Sequence, residues 1–464
     1  MLGLTVVIVY FLAMIAIGLV SRRKVRGADD FFVAGRKGSS LFITGSLLAT
    51  IVGGSAIMVT TSLGFTQGLT GVWFLLVGSI GLAVLGFFFA KKVRQFGLYT
   101  LPELVGKQYD QRIALVASIL IVVAWIGVIA AQIIAAGQIM SILVAGNSTL
   151  WMVLFAGVFV AYTILGGQYA VIRTDTLQSV IIFAGIFAAL AVVFSRLGGW
   201  GGLEASLAPE QFAFPLSSQF GGYNLVKFLL LVGLTYVVGP DMYSRLFCAK
   251  DAKTARTSVF WVAVLLIPFA LGVVFIGMGA SALFPGISPE QAFPTVINEV
   301  LPTALGGLVL AALLCAFMSS ADTVLLTAST ILTVDIVKRF KPSLSQKQTI
   351  FLSRWAIVVL GICALLLALY LKGILDAILF AYTIYTAGIA LPVIAGFYKK
   401  RLKVTVWGAM AAIIGGGVVA LISKVFDIKY LDLGALFISG LLLFIGSFID
   451  LKIRSWRLDR GRGI

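Results

Sequence analysis

Ala49-Thr50-Ile51-Val52-Gly53-Gly54-Ser55 stands near the middle of an apolar run, residues 40–64, that is long enough to cross a bilayer. Two adjacent glycines at that depth weaken a helix by about 1 kcal/mol each relative to alanine. Five apolar runs later, Val238-Gly239-Pro240-Asp241 interrupts another. There the proline removes a backbone donor and collides with the preceding turn. Each stretch predicts an unwound segment with free carbonyls. Glycines also serve close helix packing in membranes. A second break five spans on enters the membrane from the opposite side, however, and that favours two inverted repeats, each with a broken first helix. Such repeats place a binding site at their interface near the bilayer midplane. Residues 40–196 and 222–398 form the predicted repeats; residues 1–39 supply an extra helix and loop, and 404–464 two extra helices and a cytoplasmic tail.

Working outward, thirteen apolar runs are expected to span the membrane, near 2–21, 40–64, 71–90, 113–145, 149–165, 174–196, 222–243, 257–282, 303–335, 349–371, 376–398, 404–422 and 431–450. The predicted class is an all-α membrane protein of one domain. Only 11% of residues are charged and mean hydropathy is +1.09, against about 25% charged in soluble domains. Lipid is therefore the solvent. The N-terminal run is followed, not preceded, by Arg22-Arg23-Lys24, so it reads as a retained span rather than a signal peptide.

The net charge of +17 is explained by topology. With the N-terminus outside and loops alternating, 30 of the 35 Lys and Arg residues fall on the inner side, among them Arg245 after the seventh span. Arg196, Lys227, Lys372, Lys424 and Lys429 remain outside. Cytoplasmic loops carry such an excess, so the expected location is the plasma (inner) membrane with the C-terminus cytoplasmic. Nucleic acid is not an expected partner. Histidine is absent, which excludes histidine-based acid–base chemistry and histidine metal sites. Cys315 and Cys363 read as core fillers and Cys248 as a loop thiol. No HExxH or GxSxG pattern occurs, so an enzyme is not expected.

The densest polar run inside a span is Ser319-Ser320-Ala321-Asp322-Thr323. Hydrocarbon tolerates hydroxyls and a carboxylate where something polar binds or passes. Adjacent serines also bond back to their own helix, and Asp175 also suits a helix N-cap for the sixth span. The polar run and the two breaks together point to an ion or solute pathway.

Four stretches in order carry a family resemblance. They are Phe32-Val33-Ala34-Gly35-Arg36; Gly166-Gly167 through Thr174-Asp175-Thr176-Leu177-Gln178; Pro240 to Arg245 followed by Ala249-Lys250-Asp251; and Ala316-Phe317-Met318-Ser319-Ser320. They resemble the sodium:solute symporter family, which has the leucine-transporter-type fold, and its choline and proline branches most. The resemblance implies a sodium ion held by the backbone of Ala49, Val52 and Ala316 and the hydroxyls of Ser319 and Ser320. It also implies a possible second sodium site at Asp175, Ser319, Asp322 and Thr323. Unwound carbonyls paired with two hydroxyls suit a hard cation.

A small-molecule substrate is then expected between the broken helices. Its candidate contacts are Gly53, Ser55 and Ala56 beside the first break, with Trp73 and Ser79 on the third span and Gln132 on the fourth. Around the second break they are Thr235, Tyr236, Asp241, Tyr382 and Tyr385. Gln132 either binds substrate or bonds across helices, and aromatic residues also serve packing. The function implied is a sodium-coupled symporter importing a small polar organic solute by alternating access. Amino acid, carboxylate and quaternary amine classes all stay open, because Ile51 replaces the tryptophan of the choline branch and the acid of the proline branch. The alternative is a solute sensor of the same fold with little transport; the chain ends fourteen residues past the last run, where a signalling module is not expected.

Overall fold

The computed structural model describes residues 2–22, 27–144, 146–371, 373–428 and 430–461. Arg23, Lys24, Arg26, Lys372, Lys429 and Arg462 of the charge pattern lie outside them. Helices account for the architecture, and among the described residues the only β pairing is an isolated bridge between Gly38 and Ala249. In chain order the main helices are α1 (Leu2–Arg22), α2 (Ser40–Ile51), α3 (Gly54–Gln67), α4 (Trp73–Val84), α5 (Gln111–Leu143), α6 (Ser148–Leu197), α7 (Leu234–Val238), α8 (Pro240–Cys248), α9 (Ala252–Leu283), α10 (Thr303–Ile331), α11 (Gln346–Tyr370), α12 (Ile374–Tyr385), α13 (Val406–Val425) and α14 (Leu431–Gly461).

Among the described residues, ten helical segments are long and apolar enough to cross a membrane by length and composition, beside the shorter apolar helices Thr5–Ile17 and Ser40–Ile51. The difference from thirteen has a physical origin. Ser148–Leu197 is continuous over 50 residues, about 75 Å if straight, or more than twice the hydrocarbon thickness. It turns at Gly167, whose φ of 54° and ψ of −166° are non-helical. Gly54–Gln95 likewise runs for 42 residues and turns at Gly68, with φ 63° and ψ −141°.

Both expected breaks are present. The helix α2 stops at Ile51, Val52 takes φ −83° and ψ 41°, and Gly53 is extended before α3 begins. The second break lies at Gly239, φ −57° and ψ 131°, between α7 and α8, with Pro240 at the first helical position, where its missing N–H costs nothing. The glycines also permit close approach. A Cβ on Gly54 would lie 1.9 Å from the Phe317 ring of α10. The helices α2, α5, α6 and α10 enclose the centre, while α13 and α14 pack against each other at the edge.

Two residues depart from expectation. Arg245 is not in a loop: it sits on α8 and is wholly buried. Cys248 is not a loop thiol: it is buried at the end of α8, and its carbonyl accepts the Gly38 N–H at 2.9 Å. Cys363 is half-buried, whereas Cys315 is in the core.

Candidate functional site

A helix end leaves its last carbonyls without N–H partners. At the first break these belong to the final turn of α2, and α10 answers them. Ser319 Oγ donates to Ala49 O at 2.9 Å and Ser320 Oγ donates to Thr50 O at 2.7 Å. Ser319 Oγ is also 3.3 Å from Ala316 O. Gly53 presses on the same place, since a Cβ there would fall 2.2 Å from Ser320 Oγ. Val52 sits between Thr50 and Gly53 and is fully buried, like Ala49, Ala316 and Ser319. Five neutral oxygens, from Ala49, Thr50, Ala316, Ser319 and Ser320, thus converge between an unwound segment and one helix. That donor set suits a hard monovalent cation and offers nothing to a soft metal. Thr50 was missed in the sequence; its signal is that it neighbours Ala49 on the freed turn.

The second predicted set is organised by Arg245. Its Nη2 lies 3.3 Å from Asp175 Oδ2 and also donates to Thr323 Oγ1. Its Nε donates to Ser46 Oγ at 2.8 Å, and Ser46 Oγ in turn donates to Asp175 Oδ2 at 2.5 Å. Asp175 therefore does not cap a helix; it lies inside α6, paired with an arginine. The guanidinium takes the Asp175 and Thr323 oxygens that a cation would need. Asp322, one residue away, is fully buried, and its oxygens have no well-formed hydrogen bond, only the N–H and hydroxyl of the adjacent Thr323 nearby. Ser319 belongs to the first cluster, not to this one.

The substrate candidates divide. Gln132 bonds across helices: its Nε2 donates to Ser55 Oγ at 2.7 Å, and Ser55 N–H donates to Gln132 Oε1 at 3.2 Å. Ser55, Gly53 and Gln132 therefore form one unit with the first break, with Ala56 next to Ser55 on α3. At the second break, Tyr385 Oη donates to Val238 O at 2.5 Å, and Asp241 is close enough for its charge to act on Tyr236, Tyr382 and Tyr385. Thr235 turns its hydroxyl back to Val232 O. Trp73 and Ser79 are elsewhere. The Trp73 ring stacks on Phe214 at 5.2 Å and its Nε1 donates to Pro215 O, and Ser79 Oγ donates to Ala263 O, joining two helices.

A cleft of about 750 Å³ opens toward Ser288–Gln291 and Asp376, and reaches Met58 and Val59. Met58 is one helical turn from Ser55 and five residues from Gly53, so its floor approaches the first break to within about 8 Å along α3. The opposite, basic end is laced together. Arg94 Nε donates to Ala249 O at 2.5 Å, Lys250 N–H to Gly38 O at 3.0 Å and Tyr109 Oη to Pro392 O at 2.8 Å.

Comparison with known proteins places this arrangement. The model of the family described as "Sodium:solute symporter family" matches residues 31–416. The osmoregulated proline transporter OpuE of Bacillus subtilis is 26% identical over 435 residues, covering 89% of this chain and 87% of the relative. The sodium/glucose cotransporter of Vibrio parahaemolyticus is 26% identical over 472 residues, covering 94% and 86%. Among solved structures, a Na+-coupled sialic acid symporter in a substrate-bound outward-open state superposes with a TM-score of 0.82 at 19% identity, over 97% of this chain and 98% of that one.

Proposed function

Because the chain belongs to the sodium:solute symporter family, we propose that it is a sodium-coupled symporter that imports a small polar organic solute by alternating access. It is an integral membrane transporter and not an enzyme. The two relatives named above are a proline transporter and a sodium/glucose cotransporter, so the family leaves the solute open.

The observation that carries the coupling is the contact between the two serine hydroxyls and the carbonyls freed by the break. In this reading sodium is held by Ala49, Val52, Ala316, Ser319 and Ser320, and joins α10 to the α2–α3 break. Sodium replaces the serine protons as the partner of those carbonyls; the hydroxyls then turn their lone pairs to the ion. With both carboxylates ionised, Asp175, Asp322 and Arg245 sum to one net negative charge in the buried interior. A single sodium beside Asp322 cancels it, and in a low-dielectric site that attraction is strong. Arg245 takes over the charge role between Asp175 and Thr323, so of the second set Asp322 acts by its field on the first site.

The charge bias of the loops supports a cytoplasmic basic end and an N-terminus outside. The cleft then faces outward and the laced end is the closed inner gate. Sodium stabilises this state, the solute enters through the cleft, and rocking of one repeat against the other exposes both to the low-sodium side. A sensor with little flux is not favoured, since the relatives are transporters.

The test is a titration of thermal stability of the purified chain with sodium against potassium at constant ionic strength, since a ligand that binds only the folded state raises its stability. Wild type is expected to show sodium-specific stabilisation. Ser319→Ala and Ser320→Ala are each expected to raise the required sodium concentration about tenfold, one lost ligand being on the order of 1.4 kcal/mol. Equal sodium response in wild type and both variants removes the site.

A further inference from the structure

Asp241 is a carboxylate inside the bundle without a cation. It is the second residue of α8, directly after the break at Gly239. Arg245, one helical turn on, has its guanidinium 3.3 Å from Asp175 and is spent on that acid, and its charge reaches Asp241 without forming an ion pair. At hydrogen-bond range Asp241 meets its own N–H and that of Met242. Its side chain folds back over the break, where a Cβ on Gly239 would lie 2.9 Å from Asp241 Oδ1. The residue is partly exposed, as is Tyr382, in contrast to the sealed Asp175.

The surroundings are aromatic. Tyr236, Tyr382 and Tyr385 lie within range of the Asp241 charge. Their hydroxyls are committed: Tyr385 donates to Val238 O, and those of Tyr236 and Tyr382 lie within hydrogen-bonding reach of each other. Tyr236 and Tyr385 are buried beside the break, and Tyr382 is the ring that stays partly exposed. The Trp125 ring packs edge-on against Tyr385 at 4.6 Å, yet its Nε1 has no acceptor, and neither has the buried Tyr243 hydroxyl. A helix N-terminus does favour a carboxylate, and that alone explains an acid at this position. It does not explain three tyrosines gathered near a partly exposed acid that no ion pair holds, in a membrane core where such a residue marks a ligand pathway by default.

We infer that the solute carries a positively charged nitrogen, an amino or ammonium group, which binds Asp241 among Tyr236, Tyr382 and Tyr385. This rests on the symporter reading and names the substrate class of that site. Sodium is the poorer occupant here. A hard cation wants a shell of oxygens, which the Ala49–Ser319 cluster has and this site lacks. An alkylated or protonated amine uses one carboxylate and several ring faces. A solute bearing only a carboxylate would meet like charge at Asp241.

The experiment keeps the two readings apart. Tetramethylammonium, glycine betaine, L-proline, acetate and D-glucose are titrated against the full chain, by thermal shift and tryptophan fluorescence, in sodium and in potassium. Shifts are expected from ammonium-bearing probes and not from acetate or glucose. Asparagine keeps the size and shape of aspartate at this first-turn position, whose N-cap is Gly239, so Asp241→Asn tests the charge alone. It is expected to weaken the responding probe at least tenfold while leaving the sodium titration unchanged, and Asp241→Glu should recover most of the binding. Response confined to acetate or glucose, no response to any ammonium probe, or unchanged binding in Asp241→Asn overturns the inference. Ammonium binding that persists without any sodium effect leaves this inference standing and sinks the coupling instead.

Discussion

Three formal charges meet where α2, α6, α8 and α10 converge: Asp175, Asp322 and Arg245, each fully buried. Every donor group of Arg245 is used, on Ser46, Ser244, Asp175 and Thr323. A guanidinium in a fixed fork can do this; an ammonium cannot. Removing one partner of a buried pair costs about 3–5 kcal/mol, since the other charge is stranded. Arg245→Met is therefore expected to lower the melting temperature sharply, and Arg245→Lys to fall between it and wild type. Adding Asp175→Asn to Arg245→Met should restore a substantial part of the loss, which thermal melts of the three variants and wild type will show. Asp322 predicts differently. No hydrogen bond depends on it, so Asp322→Asn is expected to leave stability within about 1 kcal/mol of wild type, as for a change that orphans no partner. It should nevertheless raise the sodium concentration for half-stabilisation several-fold. A sodium response identical to wild type would detach Asp322 from the cation.

At the scale of elements, the two breaks were legible because their causes are local: two glycines in one case, Gly-Pro in the other. The tight fit around them was not, because it depends on which ring lies opposite. Two glycines separate the two kinds of constraint. Gly54 has ordinary helical backbone, and its Cβ would strike the Phe317 ring at 1.9 Å. Gly167 has φ 54°, ψ −166°, and its Cβ would meet the Phe31 ring at 2.6 Å. Overpacking costs about 1–3 kcal/mol, and backbone in that region adds about as much again for an L-residue. Gly54→Ala should destabilise and be rescued by Phe317→Leu. Gly167→Ala should destabilise more and resist rescue by Phe31→Leu, as melts of the four variants would reveal. The same segment shows why the fifth and sixth runs read as separated by a loop. Gln168, Thr174 and Asp175 are polar, and polarity between apolar runs suggests water. Here they face protein and are buried, so helix continues past the turn. Arg245 was misplaced for the same reason: a count of basic residues assigns them to loops, and only a partner elsewhere in the chain, Asp175, can hold one inside. The serine pair and the acid after it were visible as a run; which oxygens they answer was not.

Across the whole molecule, one end is open and the other is held by hydrogen bonds that cross between helices distant in sequence. The cleft bears Glu290 and Asp376 on its wall, which concentrates cations at its mouth. The opposite end is bound by Arg94 to Ala249, by the paired backbones of Gly38 and Ala249, and by Thr100 to Asp335 at 3.0 Å. If this is the inner gate, its bonds and the sodium contacts favour the same state, and weakening one should be felt at the other. Arg94 is the sharpest lever, because a hydrogen bond from a charged donor contributes about 1.5–3 kcal/mol. Loss of that amount from one of two states changes their ratio by about 10- to 100-fold. Ser62 lines the cleft and gives the readout. In a Cys363→Ala background, Ser62→Cys is expected to react with a membrane-impermeant maleimide added outside intact cells, faster with sodium than with potassium. Arg94→Ala should slow that labelling and raise the sodium needed to restore it, because sodium must now draw the chain back from a state in which the cleft is shut. Labelling that ignores both sodium and Arg94 would mean that the two ends are not coupled. Labelling seen only after the membrane is permeabilised would mean that the cleft faces the cytoplasm and the assigned orientation is reversed.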